Sequence, residues 1–447
     1  MQTEGSGGRR RIPDEGAGQE EILAALRDMG AGDAKWREGR TFSLVYHAGD
    51  EHTALLKSAS ELYFAENALS PMAFGSLRRI ENEVCGMALD LLGAPSEAAG
   101  SMTSGGTESI LMAVKAYRDR ARALRPEVSQ PEIVLPSTAH PAFYKAAHYL
   151  CVKPVQVPVG RDYRADVAAT REAISENTIA LVGSAPSYPQ GVIDPIEELA
   201  ELAFSKGLPM HVDACVGGYL LPFVRELGHP VPPFDFRVPG VTSISADLHK
   251  YGFAAKGAST ILYRDRALRR YQAYTFSDWP GGLFASMTLL GTRAGGPIAA
   301  AWASLMRMGR AGFLKTAGDI MRTTKAFTEG IRKIPGLFIV GEPAMSVFAF
   351  SSDEVSVFVV ADQMEARGWH CDRQQSPTAI HLMITPAHAE LADRYLADLE
   401  AAVAYARAHP EAASAGTAAM YGMLAHAPDP AAVREFLLDF VDGIYRG

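Results

Sequence analysis

From about residue 100 the chain alternates short, continuous apolar runs with longer amphipathic stretches. The apolar runs are Ile133–Leu135, Val155–Val157, Ile179–Gly183, Pro209–Asp213, Val241–Ala246 and Ser259–Tyr263. Helical spacing occupies most of the gaps, at Thr107–Leu124, Phe143–Leu150, Asp166–Ser175 and Ile196–Lys206. Strands that are apolar on both faces belong in a parallel sheet covered by helices on each side, and helical crossovers supply that cover. This predicts an α/β fold with a mostly parallel sheet, whose ligands collect at the carboxyl ends of the strands.

The flanks have a different texture. Glu20–Met29 and Leu77–Leu92 have helical spacing, the second with Ile80, Val84, Met87, Ala88 and Leu91 on one face. Between them lie a compact aromatic stretch, Phe42–His47, and a helix-like run, Glu51–Phe64, broken at Asn67–Pro71. Beyond a long helix that begins near Ile298, strand patterns at Phe338–Val340, Ser346–Phe350 and Ile380–Thr385 mix with helices at Val355–Arg367 and His388–Ala408. The expected division is an N-terminal tail and arm (1–75), a large α/β domain (76–300) and a smaller C-terminal α+β domain (301–447). His409–Pro430 is expected to be linker or loop, followed by a helix at Ala431–Tyr445. Met1–Gly18, glycine-rich and charged, is expected to be disordered and lacks the apolar core of a signal peptide.

Composition narrows the function classes. The chain has 447 residues, 48% of them apolar and 21% charged, which suits a soluble protein with more than one core. A net charge of −8 offers no basic footprint for nucleic acid, but a few local cations could still hold an anionic small molecule. Cys85, Cys151, Cys215 and Cys371 have no paired spacing and are expected to be reduced core residues of a cytoplasmic protein, with no metal site. No run approaches the roughly 20 apolar residues of a membrane span.

Against this background one stretch stands out. The apolar run Val241–Ala246 leads to His249-Lys250 and then to glycine and small residues, as a strand would deliver a lysine to a pocket at its end. A lysine in such a place must be neutral, paired or covalently used, and pocket lysines serve Schiff-base chemistry. Thr103-Ser-Gly-Gly-Thr-Glu-Ser109 opens a helix. Gly105 and Gly106 let the backbone approach an anion, and Thr107 adds a hydroxyl to the free N–H groups of the helix start. Alone, the same residues read more readily as an ordinary helix cap. His211-Val-Asp-Ala-Cys215 places Asp213 at a strand tip, as partner for a heteroaromatic nitrogen or as a buried ion-pair partner. His140 follows a strand and could stack on a ring or be structural; His249 could touch a phosphate. A phosphate turn, a strand-end carboxylate and a strand-end lysine, in this order, are what pyridoxal 5'-phosphate requires.

The motifs go further. Val45-Tyr-His47, Thr103–Ser109 with Ile-Leu-Met-Ala following, Gly191-Val-Ile-Asp-Pro195, His211–Cys215, Phe234-Asp-Phe-Arg237, Ser243-Ile-Ser-Ala-Asp-Leu-His-Lys-Tyr-Gly252, Lys256-Gly-Ala-Ser259 and Ala300-Ala-Trp302 run through most of the chain. Together they resemble the sphingosine-1-phosphate lyases, a branch of the fold-type I, group II decarboxylase-like pyridoxal phosphate enzymes. The Asp-Ala and His-Lys pairs are common to the wider group; the serine-rich context of Lys250 is specific to the lyase branch. The resemblance implies a seven-stranded, mostly parallel sheet and a homodimer with its active site between subunits. It implies Lys250 as the Schiff-base lysine, Asp213 on the ring nitrogen, His140 stacked on the ring, and Gly105, Gly106, Thr107 and His249 around the phosphate. Thr292 matches a position reaching the partner's cofactor phosphate. Tyr46, Asn67 and Lys256 match positions that hold the substrate phosphate or assist catalysis, and Tyr188 sits near the cofactor. The implied substrate is a phosphorylated long-chain base, cleaved by a retro-aldol step to a fatty aldehyde and phosphoethanolamine.

One departure concerns the head group. Family members commonly have Asn-Pro-Leu-His-Pro where this chain has Asn67-Ala-Leu-Ser-Pro71, so Ser70 stands where a histidine is expected near the substrate. The chain resembles a soluble, bacterial-type member. An amino-acid decarboxylase on the same scaffold is the alternative, and Lys256 is the residue that tilts the site towards the lyase. A non-catalytic cofactor-binding protein would not need Lys250, Asp213 and the phosphate turn intact together.

Overall fold

The computed structural model describes residues 11–414, 416–425 and 430–445. Its centre is a seven-stranded sheet of β1 (Ala99–Thr103), β2 (Glu132–Pro136), β3 (Lys153–Val157), β4 (Thr178–Ser184), β5 (Met210–Asp213), β6 (Ser243–Ala246) and β7 (Ser259–Tyr263), in the order β1-β7-β6-β5-β4-β2-β3. Only β7 runs against its neighbours, β1 and β6. It follows β6 without a helical crossover, and a short return can only bring a strand back antiparallel. The apolar runs serve both faces. Val134, Leu181, Val212 and Ile244 enter one core. Ile133, Leu135, Ala180, Val182 and Ile261 enter the other, under the helices Gly106–Leu124 and Ala142–Leu150.

A hairpin, β8 (Tyr274–Phe276) and β9 (Phe284–Ser286), precedes a long helix, Gly295–Lys333, that breaks at Gly309. The helix leads to an antiparallel sheet of β10 (Leu337–Val340), β11 (Val347–Ser352), β12 (Asp372–Gln375) and β13 (Thr378–Met383), in the order β10-β11-β13-β12.

Two expectations change, and a third falls mostly outside the described residues. Where linker or loop was expected, Pro410–Ser414 forms a 3-10 turn and Gly416–Ala425 a helix. That helix is anchored by the Tyr421 ring against Phe358 and by the Ala418 N–H donating to Asp362. Cys151 is exposed, at the left-handed end of the helix Ala142–Leu150, while the other three cysteines are buried as expected. The disordered tail expected for 1–18 falls mostly outside the described residues, and 11–18 are exposed.

The loop after β4 meets β11 at Gly191, where φ is +70° and an added Cβ would lie 1.8 Å from the Val347 carbonyl oxygen. Left-handed strain alone costs a non-glycine residue about 1–3 kcal/mol, before the clash. Gly191→Ala should therefore lower the thermal midpoint clearly; a wild-type melting curve would show that this contact is not tight.

Candidate active site

Because β1 and β2 to β6 all point the same way, their carboxyl ends share one edge, and the candidate residues lie there. Asp213 closes β5. Its Oδ1 accepts from the Cys215 N–H at 3.0 Å and from the Ser245 hydroxyl at 3.2 Å. Ser245 spends its only proton on Asp213, so at 3.1 Å it must accept from His211 Nε2. His211 Nδ1 is then the acceptor for Ser243, 2.7 Å away. Burial pushes His211 down to about 4, so the ring is neutral and able to play both parts. The histidine of the His211-Val-Asp213 motif thus orients the carboxylate and is not itself in the cavity.

Lys250 follows β6 by four residues, and its ammonium lies 3.0 Å from Asp247 Oδ2. Asp247 is buried, with His249 Nε2 at 3.6 Å. Burial would lower the lysine, but the Asp247 charge outweighs it and holds Lys250 above its usual value. Burial would likewise raise Asp247, and Lys250 with His249 keeps it below the ordinary carboxylate range. Of the three ways to keep a lysine here, the chain by itself uses pairing.

The glycine turn lies directly on these groups. A Cβ at Gly106 would come within 2.7 Å of the Asp247 carboxylate and 2.8 Å of Cys215 Sγ. At Gly105 it would come within 3.2 Å of His249 Cε1. Glycine is required because the start of the helix Gly106–Leu124 is packed onto the strand ends, where its first residues line the cavity and its first N–H groups have no partner within the helix. Glu108 fixes the turn from below. One carboxylate oxygen accepts from the Ser104 N–H and hydroxyl at 2.7 and 2.6 Å, the other from the Leu289 N–H at 2.8 Å.

A cavity of about 380 Å³ brings together Gly105, Gly106, Thr107, His140, Tyr188, Asp213, His249 and Lys250. Its size suits a small cofactor with part of a substrate. His140 Nδ1 accepts from the Ala142 N–H at 3.1 Å, which leaves the proton on Nε2, and burial lowers its basicity. Tyr188 is gripped from the small sheet. Its ring stacks on His381 at 4.3 Å and its hydroxyl donates to Asp372 at 3.3 Å.

Tyr46 and Lys256 form a cluster beside this cavity. The Lys256 ammonium sits 5.1 Å above the Tyr46 ring and donates to the His249 carbonyl at 3.3 Å. Although Lys256 as a residue is exposed, its amino group is crowded. Burial and then the charge of Lys250 lower it to about 8.

Asn67, Ser70 and Thr292 do not line the cavity of their own chain. They lie together elsewhere: Asn67 bridges Ala294, its Oδ1 accepts from the Leu69 N–H, and Ser70 and Thr292 are exposed. Conversely, Asp247, Glu108, Asp372 and His381 belong to the site, and the apolar pattern did not single them out. Asp247 could have been flagged as a carboxylate three residues before the lysine, immediately after a buried strand.

The conserved domain of the pyridoxal-dependent decarboxylases matches residues 12–353. The chain belongs to this family. It is 43% identical to the sphingosine-1-phosphate lyase of Arabidopsis thaliana over 97% of its own length and 81% of that protein. Sphingosine-1-phosphate lyase 1 of Rattus norvegicus is 41% identical, over 98% and 77%. The structure of the sphingosine-1-phosphate lyase of Burkholderia pseudomallei K96243 superposes with a TM-score of 0.90 at 38% identity, covering 98% of this chain and 97% of that one.

Pyridoxal phosphate is the cofactor of this family member, and the residues present fit it. The two glycines let the helix start pack onto Asp247, Cys215 and His249, so that the turn lines the cavity at a helix start that favours an anion. Asp213 presents a carboxylate whose second oxygen is not used by Cys215 or Ser245. Lys250 supplies the amine, and Asp247 Oδ1 is buried without a hydrogen-bond partner among the described residues.

Removing the Asp247 charge takes away the largest influence that raises Lys250 and leaves burial, which lowers it, opposed only by the weaker pull of Cys215 and Asp213. In Asp247→Asn the cofactor-free protein should therefore condense pyridoxal phosphate with a rate–pH midpoint shifted to lower pH. An unchanged midpoint would contradict the pairing.

Proposed function

We propose that this protein is a carbon–carbon lyase that splits phosphorylated long-chain bases, such as sphingosine 1-phosphate, into a fatty aldehyde and phosphoethanolamine. The observation that carries this reading over decarboxylation is the second ammonium, Lys256, crowded against Tyr46 beside the Lys250 cavity. A decarboxylase has no phosphate for it to meet.

When bound, pyridoxal phosphate supplies an electron sink for the pair released as the carbon–carbon bond breaks. Lys250 would hold the cofactor through its amine and would return a proton to the amine-bearing fragment. Asp213, locked by Cys215 and Ser245, keeps the ring nitrogen protonated. His140 covers the ring. Gly105, Gly106 and Thr107 receive the cofactor phosphate with His249 beside them. Lys256 with Tyr46 receives the substrate phosphate, and Tyr188 assists proton movement.

The working unit is a homodimer. Leu62, Phe64, Met72 and Leu283 are 76%, 87%, 84% and 88% exposed, large apolar side chains that a partner subunit would cover. Asn67, Ser70 and Thr292 share that surface, and Glu108 ties the adjoining Leu289 backbone to the phosphate turn. A second copy seated there brings these three residues to the partner's cavity. Among the described residues no helix is long and apolar enough to cross a membrane.

Incubation with sphingosine 1-phosphate should release phosphoethanolamine and a fatty aldehyde in equal amounts; carbon dioxide from an amino acid, with neither product, would make it a decarboxylase. With Lys256 near 8, its charge is present below that pH and lost above it. The value of kcat/KM should accordingly fall as pH rises through about 8, and Lys256→Arg, which stays charged, should remove that limb.

A further inference from the structure

Behind Tyr188 lies a buried acceptor with nothing to accept. His381 is fully buried, and its Nε2 is 2.9 Å from the Tyr188 carbonyl oxygen. A carbonyl can only accept, so Nε2 carries the proton. Burial holds the ring neutral, well below its ordinary value. Nδ1 is then a bare acceptor, and it has no hydrogen-bond partner among the described residues. It faces Asp372 Oδ2 at 3.9 Å, an acceptor facing a carboxylate. Leaving such a group unpaired is unfavourable, and one proton on Asp372 would relieve it.

That proton has a source. The Tyr188 hydroxyl donates to Asp372 Oδ2 at 3.3 Å, and Tyr188 lines the cavity that holds Lys250. It also has an exit, because the Asp372 side chain is 28% exposed. The other charged or titratable groups nearby leave Asp372 Oδ2 to Tyr188 and His381. His370 Nε2 is 3.9 Å from its other oxygen. Arg373 is engaged by Asp362 and Glu365, and Lys250 by Asp247. Burial keeps Tyr46 protonated.

We propose that Asp372 is the proton acceptor of the cleavage step, working through Tyr188, with His381 as the positioning residue that receives the hydrogen bond of the protonated carboxyl. The inference rests on the lyase reading above and names the base that reading leaves open. The substrate hydroxyl gives its proton to Tyr188 Oη as Tyr188 passes its own to Asp372 Oδ2, so the tyrosine ends unchanged. The electron pair left on the substrate oxygen becomes the second bond of the aldehyde carbonyl. The carbon–carbon bond breaks with its pair leaving on the amine-bearing fragment. Asp372 then returns its proton to water.

The test is turnover of sphingosine 1-phosphate by Asp372→Asn, which can still accept the Tyr188 hydrogen bond but cannot take the proton. Its kcat should fall at least about 100-fold with KM changed less than about threefold, and the cofactor should remain bound by absorbance. Asp372→Glu should recover part of kcat. Asp372→Ala should gain activity as formate is added, an effect that a merely structural carboxylate would not produce. Asp372→Asn with kcat within about twofold of wild type overturns the relay alone. Wild-type protein that releases no phosphoethanolamine overturns the lyase reading, and the relay with it.

Discussion

The site depends on one ion pair at the carboxyl edge of the sheet, between Lys250 and Asp247. An amine that must reach a bound ring has to sit where water is scarce, and an unpaired charge there costs several kcal/mol. Asp247 offsets that cost within the loop that carries the lysine, three residues earlier. The same carboxylate dictates what lies above it. Only glycine fits at position 106, which brings the helix start and its N–H groups down to the cavity. Lysine, carboxylate and phosphate cradle form one packed unit, and each fixes the position of the others.

A second constraint joins the two sheets. Tyr188, on the loop after β4, is held at its ring, its hydroxyl and its carbonyl by Asp372 and His381 of the small sheet. Gly191 presses the same loop onto β11. The small sheet is therefore part of the site wall, and its strand β12 exists for that contact more than for its own core, being polar throughout (Asp-Arg-Gln-Gln).

The large sheet was legible because its strands are apolar on both faces, and six of the seven appear as continuous runs. β1 was missed because Ala-Gly-Ser-Met-Thr carries no such run; pairing with β7 makes it a strand. β12 was missed for the same reason. Lys250, Asp213, His140 and the glycine turn were legible because each sits just beyond a strand or opens a helix, where chemistry-bearing residues have few other reasons to lie. Asp247, Glu108 and the Asp372–His381 pair were not, since their partners are distant in the chain or buried in the turn itself. Asp194, in the Gly191-Val-Ile-Asp-Pro195 motif, is structural: it accepts from the Ala165 and Ser184 N–H groups, each at 2.8 Å. Asn67, Ser70 and Thr292 came from resemblance alone, and one chain does not bring them to the cavity.

The account turns on which lysine holds the cofactor, because Lys256 lies close enough to Lys250 for the Lys250 charge to lower it. Borohydride reduction of the loaded protein, followed by peptide mapping, reads this directly. The account predicts a pyridoxyl label on Lys250 and none on Lys256. A label on Lys256, or on neither lysine, would contradict it.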